Sequence, residues 1–386
     1  MGAGDENTFA GLFFCLVPFA LSLLPLLLSR IRERGPITVA EFMELALYHP
    51  EHGYYSTTPQ RSGRHGDFFT SVDVGPLFGE FIAVQLAEMW RLLEAAGAEH
   101  FDLVEAGAGN GRLARDILDA ASSSHPGFYD RLRLTLVERS AAARAAHVDT
   151  IGPHAGRLIS SSDRLPRRVI GTILANELLD ALPVHVVAMR GTGLCEIGVG
   201  ERKGALVEID MPLSHPALAD GVDLDVDARE EVGLAASDWM REAVSSLERG
   251  FMLLFDYGYD VLVASQAVHP HGTLMAYRAH RAHPDDWLTD PGNTDLTAHV
   301  DLSAIRRVAT AAGLETLGIL DQTYFLLGLG LAERLDSGHD RPSIARRLAA
   351  RTLIMPGGLG STMKTMIFGK GVGWPTLQGT SSGRLT

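Results

Sequence analysis

The sequence predicts a doubly wound α/β protein built on a mostly parallel sheet. Three observations lead there. Short apolar runs at Phe101–Glu105, Leu132–Glu138, Val169–Ala175 and Phe251–Phe255 alternate with segments of helical periodicity. Strands that read as continuous apolar runs are buried on both faces, between layers of helices. The first run leads straight into Glu105-Ala106-Gly107-Ala108-Gly109-Asn110-Gly111, a glycine turn that opens a helix, and polar residues cluster where the runs end. The carboxyl edge of such a sheet is where open α/β folds bind their ligands.

Length and charge narrow the field. A chain of 386 residues suits one large domain with insertions or a core plus a small second unit. With 34 Lys and Arg against 47 Asp and Glu, the formal charge is −13, which disfavours a nucleic-acid partner and suits a basic protein partner. Two distant cysteines, Cys15 and Cys195, exclude a disulfide framework and a cysteine-based zinc site. A reducing compartment, the cytoplasm, is the default, with the mitochondrial matrix or a membrane-anchored state as alternatives.

The elements follow in order. Residues 1–20 form an apolar leader, read as dispensable. Phe9 to Leu28 has the length of a membrane span, but Pro18 and Pro25 interrupt it and Asp5 and Glu6 precede it where a signal peptide carries positive charge. From Leu21 the spacing Leu23, Leu24, Leu27, Leu28, Ile31 reads as a helix packed on the core, so membrane contact through residues 9–28 is not favoured. Residues 21–98 form an N-terminal helical segment, with Thr38 capping a helix to Leu47, Glu41 three residues on, and a second helix over Phe78–Ala96. The core spans 99–374. After the first two strands come helices at Leu113–Ala121 and Ala141–His147. A β-rich insertion occupies about 185–225, Glu230–Glu248 reads as helix, and His269–Thr297 as polar loop. Leu302–Ala312 and Tyr324–Leu335 read as helices around a strand at Glu315–Leu320, and Thr362–Gly369 as the last strand. Residues 375–386, rich in Gly, Ser and Thr, are expected to be disordered.

The glycine turn discriminates among cofactors. A dinucleotide fingerprint needs glycine at the sixth position, and here that position is Arg112. Glycines at 107, 109 and 111 suit a cofactor without phosphate, whose amino acid and ribose lie against the loop, with Glu105 orienting it. Glu138 ends the next strand, where an acidic side chain accepts from both ribose hydroxyls. The alternative is a tight ligand-free turn with Glu138 facing solvent.

Asn176, Glu177 and Asp180 follow a buried strand and are closed off by Pro183. Paired carboxylates of this kind can grip a guanidinium and leave one nitrogen free. The alternative has Asp180 capping a following helix. Gly66, Asp67 and Thr70 precede the first strand in a turn whose oxygens can face a cofactor amine, although an ordinary turn reads the same way. His269, His271, His280 and His283 lack the spacing of a hydrolytic zinc site and no metal is expected. His299 follows Asp295 and Thr297 and is a further candidate. Met363 and Met366 read as core.

With these motifs in place, the chain resembles the MidA-like family of class I S-adenosylmethionine-dependent methyltransferases. The segments that carry the resemblance are GPITVAEFMELALYHPEHGYY, GDFFTSVDVGPLFGE, EAGAGNGRLARDIL, ANELLDALPV, DYGY, GTLMAYRAH and DLTAHVDLSAI, spread in order over about residues 30 to 370. The resemblance implies a seven-stranded, Rossmann-like class I sheet with S-adenosylmethionine on Gly107, Gly109, Gly111 and Glu138. It also implies that Gly66, Asp67 and Thr70 face the cofactor, and that Asn176, Glu177 and Asp180 face the acceptor. The family includes a mitochondrial complex I assembly factor that methylates protein arginine. The resemblance therefore implies a protein substrate, plausibly a respiratory-complex subunit, against the alternatives of a small-molecule acceptor or a non-catalytic assembly factor. Family members often read T-S/A-P-E after G-D-F; this chain has Thr70-Ser71-Val72-Asp73, which removes a proline and shortens the acidic reach.

Overall fold

The computed structural model describes residues 22–57, 70–259, 269–278, 281–284, 286–335 and 338–382. The leader, and with it most of the stretch 9–28, lies outside these residues, as do Gly66 and Asp67.

Seven strands make the central sheet: β1 (Phe101–Ala106), β2 (Leu132–Val137), β3 (Leu158–Ser162), β4 (Val169–Asn176), β5 (Leu247–Tyr259), β6 (Glu315–Asp321) and β7 (Met363–Lys370). Their order is β6-β7-β5-β4-β1-β2-β3. β7 runs antiparallel to both neighbours and the other pairs are parallel, as expected of a mostly parallel sheet. Alternate side chains enter opposite cores. Phe101, Leu103 and Leu253 pack with the helices Leu77–Ala95 and Arg112–Ser124, whereas Val104, Ala106 and Met252 pack with Leu234–Ser246 and Leu302–Ala311.

At one end of the parallel strands, Gly171 and Gly250 have φ of 154° and 136°, a backbone that would aim a side chain into the neighbouring strand. A Cβ at Gly171 would lie 2.1 Å from the Asp102 carbonyl oxygen, and one at Gly250 would lie 2.0 Å from that of Gly171. These two glycines are register partners on β4 and β5, so the ladder continues through both only because neither carries a side chain.

A second layer covers the carboxyl edge. The helix Leu23–Arg34 buries Leu23, Leu27 and Ile31 in one core with Phe42, Val186, Val199, Trp287 and Leu296, and Pro25 sits in its first turn, where no backbone bond is lost. This is the core-packing helix expected from the spacing. No helix among the described residues is long and apolar enough to cross a membrane. Thr38 accepts from the Glu41 N–H at 3.0 Å, as its cap position predicts.

Four expectations need correction. The insertion is a five-stranded antiparallel sheet that reaches Val232, beyond 225, and takes in Ile37–Thr38, which pairs with Gly193–Arg202. The helix expected from Glu230 starts at Leu234, because Glu230 and Glu231 already pair with His185–Val187. The stretch His269–Thr297 contains a small sheet of Met275–Arg278, Arg281–His283 and Asp295–Thr297. The helix over Leu77–Ala95, grouped with the N-terminal segment, belongs to the main core.

The tail is also ordered through Ser382. Leu377 is fully buried, the Gly379 N–H donates to Gln85 Oε1 at 3.0 Å, and the Gln378 N–H donates to Glu88 Oε2 at 2.9 Å. A Cβ at Gly379 would meet Gln85 and Phe325 at 2.6 Å, so a composition typical of disorder here serves close packing. A chain ending at Trp374 is expected to lose about 2–4 kcal/mol, from the buried leucine and the contacts it anchors. Urea denaturation of the two chains measures this, and an unchanged midpoint would show that the latch is unimportant.

Candidate active site

The carboxyl ends of β1, β2, β4 and β5 deliver Glu105, Glu138, Asn176 and Asp256 to one region. There the chain encloses a cavity of about 710 Å³, lined by the glycine loop, Glu138, Asn176, Glu177, Asp180 and Thr70 from the sheet side. Tyr48, Tyr55, Tyr277, Asp295 and His299 line it from the covering layer. The volume is that of a ligand pocket.

The glycine loop crosses the end of β2. The Gly107 and Ala108 N–H groups donate to the Val137 carbonyl at 2.9 and 3.1 Å. Gly107 and Gly109 have φ of 69° and 53°, a left-handed shape that costs other residues about 1–2 kcal/mol. The two differ in what surrounds them. A Cβ at Gly107 would lie 3.0 Å from Leu178, whereas one at Gly109 would meet no protein atom within 4 Å. Packing therefore explains the first glycine, and the second leaves its space to a ligand.

Glu138 is aimed by the backbone around it. Its Oε2 accepts from the Gly109 N–H at 2.9 Å and its Oε1 from the Ser140 N–H at 2.8 Å. A carboxylate offers about four lone-pair sites, so each oxygen keeps one for a ligand hydroxyl. Glu105 is 3% exposed, its Oε2 is buried with no hydrogen-bond partner, and burial pushes its pKa up to about 8. An orphaned carboxyl oxygen in a cavity wall fits a ligand cation, as on S-adenosylmethionine. Glu105, Glu138 and Gly109 thus fit that cofactor, whereas the Cβ positions of Gly107 and Gly111 face Leu178 and Leu136, and Gly111 is not part of the cavity lining, so these two glycines shape the loop.

Thr70 enters through the turn Ser71–Val74. Both its N–H and its hydroxyl donate to Asp73 Oδ2 at 3.0 Å, while Arg112 pairs with the other oxygen. The residue that replaces the longer family acid closes a capping box, so the turn is pinned despite the missing proline. Arg112, which fails the dinucleotide pattern, ties this turn to the helix behind the glycine loop.

The loop after β4 holds two carboxyls in the cavity wall, Asp180 buried and Glu177 half-buried. Glu177 has φ 50°, rare for a residue with a side chain; its N–H donates to the Phe255 carbonyl at 2.8 Å and its Oε1 accepts from Asn176 Nδ2 at 3.1 Å. No helix follows Asp180, which removes the capping alternative. Burial raises the pKa of Glu177 well above the usual range, reinforced by Asp180 beside it. Asp180 is raised likewise, by burial and then by Asp256 and Asp295. The cavity thus gathers negative groups with no basic partner on the Glu177–Asp180 loop.

Several residues that line or support the cavity were not read from the sequence as site residues; Asp256 lies behind the lining and supports it. Asp256 is 1% exposed and holds the loop through the Leu178 and Leu179 N–H groups, at 3.2 and 2.8 Å. Its position at the end of a core strand, equivalent to Asn176 on β4, was the available signal. Tyr48 donates to the Ala181 carbonyl at 2.9 Å and Tyr55 to Asp295 Oδ1 at 2.7 Å, contacts between distant segments that no local pattern announces. His299 lines the cavity, but burial depresses its pKa to about 4 and its neighbour is His269 at 5.5 Å between ring centroids, so it is a neutral wall near pH 7.

A carboxyl with a raised folded-state pKa favours folding below its unfolded value, and that contribution is lost as pH rises towards the folded value. For Glu105 the window is from about 4.5 to about 8. Between pH 5 and pH 9 the ligand-free protein is expected to lose stability in urea, and Glu105→Gln is expected to shrink that loss. An unchanged slope in the variant would show that Glu105 ionises normally.

A family model for S-adenosyl-L-methionine-dependent methyltransferases matches residues 81–320. A crystal structure from Burkholderia thailandensis bound to S-adenosyl-homocysteine is 33% identical, with a TM-score of 0.84 over 94% of this chain and 95% of that one. A native structure from the same organism is 32% identical, with a TM-score of 0.83 over 94% of each chain. Among curated proteins, a mitochondrial protein arginine methyltransferase homolog of Drosophila melanogaster is 29% identical over 362 residues, 82% of this chain and 76% of its own. The mitochondrial protein arginine methyltransferase of Rattus norvegicus is 29% identical over 354 residues, 83% of this chain and 78% of its own. The matched span holds the glycine loop, Glu138, the loop after β4 and Asp256, and the chain belongs to the MidA-like family of methyltransferases that use S-adenosylmethionine.

Proposed function

We propose that this methyltransferase modifies a guanidinium nitrogen of arginine in a protein substrate, a respiratory-complex subunit or its assembly intermediate being the first to try. The observation that carries the reading is Glu177, a half-buried carboxyl held at φ 50° in the cavity wall, with the buried Asp180 three residues on. Backbone kept in a costly region persists where the surroundings enforce it, and such sites are often functional. The naming of the Drosophila and rat relatives supports the same acceptor, and a charge of −13 suits a basic protein surface.

The chemistry divides simply. S-adenosylmethionine supplies an activated methyl group on a sulfonium; Gly109, Glu105, Glu138 and Thr70 would hold it, on the loop that Gly107 and Gly111 shape. Asn176, Glu177 and Asp180 do the rest. Glu177 and Asp180 accept the guanidinium N–H groups, and hydrogen bonds to charged partners contribute about 1.5–3 kcal/mol each. By drawing positive charge onto the bound nitrogens, the carboxylates leave the remaining nitrogen richer in electrons. One of them takes the proton this nitrogen loses as the methyl moves to it and S-adenosylhomocysteine leaves. Asn176 fixes Glu177 through its amide. Tyr48, Tyr55 and Tyr277 line the other wall and exclude water, which would otherwise solvate the attacking nitrogen. A bound cation also favours ionised Glu177 and Asp180, reversing the shift that burial imposes.

With radiolabelled cofactor and arginine-rich protein substrates, label is expected on arginine and not after Arg→Lys replacement. Glu177→Gln is expected to lower kcat/KM by about 10²–10³-fold, the loss typical of removing one electrostatic contact to the reacting group, while S-adenosylhomocysteine affinity stays near wild type. Label on lysine or on small molecules alone, or full arginine activity in Glu177→Gln, would refute the reading.

A further inference from the structure

Gly109 is held through both of the peptide groups that flank it. Its N–H donates to Glu138 Oε2 at 2.9 Å, and its carbonyl lies 2.8 Å from His147 Nε2. A carbonyl can only accept, so Nε2 carries the ring proton. In the neutral ring Nδ1 then accepts from the Ser161 hydroxyl, 2.8 Å away. His147 is fully buried on the helix Ala141–Ile151, and that burial lowers its pKa, which keeps the ring neutral. Ser161 lies on β3. Neither residue belongs to the glycine motif or the acceptor loop.

These two hydrogen bonds matter because Gly109 faces open space on its Cβ side: a Cβ there would meet no protein atom within 4 Å, so no side chain packs against that face of a residue at φ 53°. One of the bonds comes from Glu138, the carboxylate assigned to the cofactor ribose. The backbone bonds of Gly107 and Ala108 to Val137 and of Gly111 to Ala108 fix the loop on either side; on the Gly109 carbonyl itself the side-chain hold is His147, which is independent of the ligand-facing Glu138.

We propose that His147 is a positioning residue for the cofactor: by fixing the Gly109 carbonyl, in a ring orientation set by Ser161, it keeps the glycine loop in its binding shape and the Glu138 carboxylate aimed into the cavity. The proposal rests on the placement of the cofactor at this loop and Glu138. Without the histidine, Gly109 is free to sample other conformations. Only the competent fraction of the protein binds, and apparent affinity falls by that fraction.

The test is calorimetric titration of the full chain with S-adenosylhomocysteine, alongside thermal unfolding. His147→Leu is expected to weaken binding about tenfold, the scale of one lost hydrogen bond and an unpaired carbonyl, and to speed amide exchange at Gly109. His147→Gln, whose amide can donate to the same carbonyl, is expected to recover most of the affinity. Ser161→Ala, an exposed position, is expected to cost about threefold through a less fixed ring. Binding within about twofold of wild type in folded His147→Leu, with a lower melting temperature only, would make His147 a structural core residue and overturn the proposal. Should that variant not fold, Ser161→Ala decides, and unchanged affinity there overturns it. Glu138→Gln separates the two layers. Weaker binding in it, with normal binding in His147→Leu, sinks this proposal alone; normal binding in both sinks the placement of the cofactor.

Discussion

Asp256 lies beneath the loop that follows β4, and three backbone N–H groups converge on its carboxyl: Leu178 and Leu179 on one oxygen and Tyr257 on the other. Much of the site's form depends on this arrangement. A buried carboxyl needs donors, and a loop without regular structure needs acceptors for its N–H groups. Each satisfies the other. The loop is thereby bent so that Glu177 takes its left-handed backbone, donates to the end of β5, and leaves its side chain in the cavity.

The same arrangement sets the electrostatics. Glu105, Glu177, Asp180 and Asp256 are all raised chiefly by burial. Asp180 sits between Asp256 and Asp295, so ionising any one of them makes ionising the next harder. Such a cavity favours positive charge, as on the sulfonium and amine of S-adenosylmethionine. Burial without cationic partners costs stability, and pKa values this far displaced cluster at functional sites. The rest of the fold offsets that cost with two well-filled cores on either side of the sheet.

The covering layer completes the cavity and is built from three stretches far apart in the chain. Tyr48 and Tyr55 come from the N-terminal segment, the five-stranded sheet from the insertion, and Tyr277, Asp295 and His299 from the stretch beyond β5. They are joined by one apolar core in which Leu27, Phe42, Val186 and Leu296 all take part. Direct bonds then tie this layer to the sheet side of the cavity: Tyr48 to the Ala181 carbonyl, the Ala298 N–H to the Asp180 carbonyl, and Arg139, stacked on Tyr48, to Glu44. Arg139 follows Glu138, so the cofactor edge and the acceptor loop are braced by the same helix, Val39–Tyr48.

The sequence by itself determined the sheet and the floor of the site. Continuous apolar runs mark strands covered on both faces, and glycines or acids at their ends mark the ligand edge, because these signals depend only on local spacing. Thus β1, β2, β4 and β5, the glycine loop, Glu138 and the Asn176–Asp180 loop were all legible. Local spacing failed where the partner is remote. β3 reads Leu-Ile-Ser-Ser-Ser, too polar for a core strand, and exists because β2 offers it an edge. The tail reads as disordered until Gln85 and Glu88 capture it. Only the tertiary structure brought Tyr55 to Asp295 across 240 positions of chain, or set His147 against Gly109. The reason is physical: a buried polar group takes whichever partner the packed chain places within hydrogen-bonding distance, and no pattern along the sequence records where that partner will be.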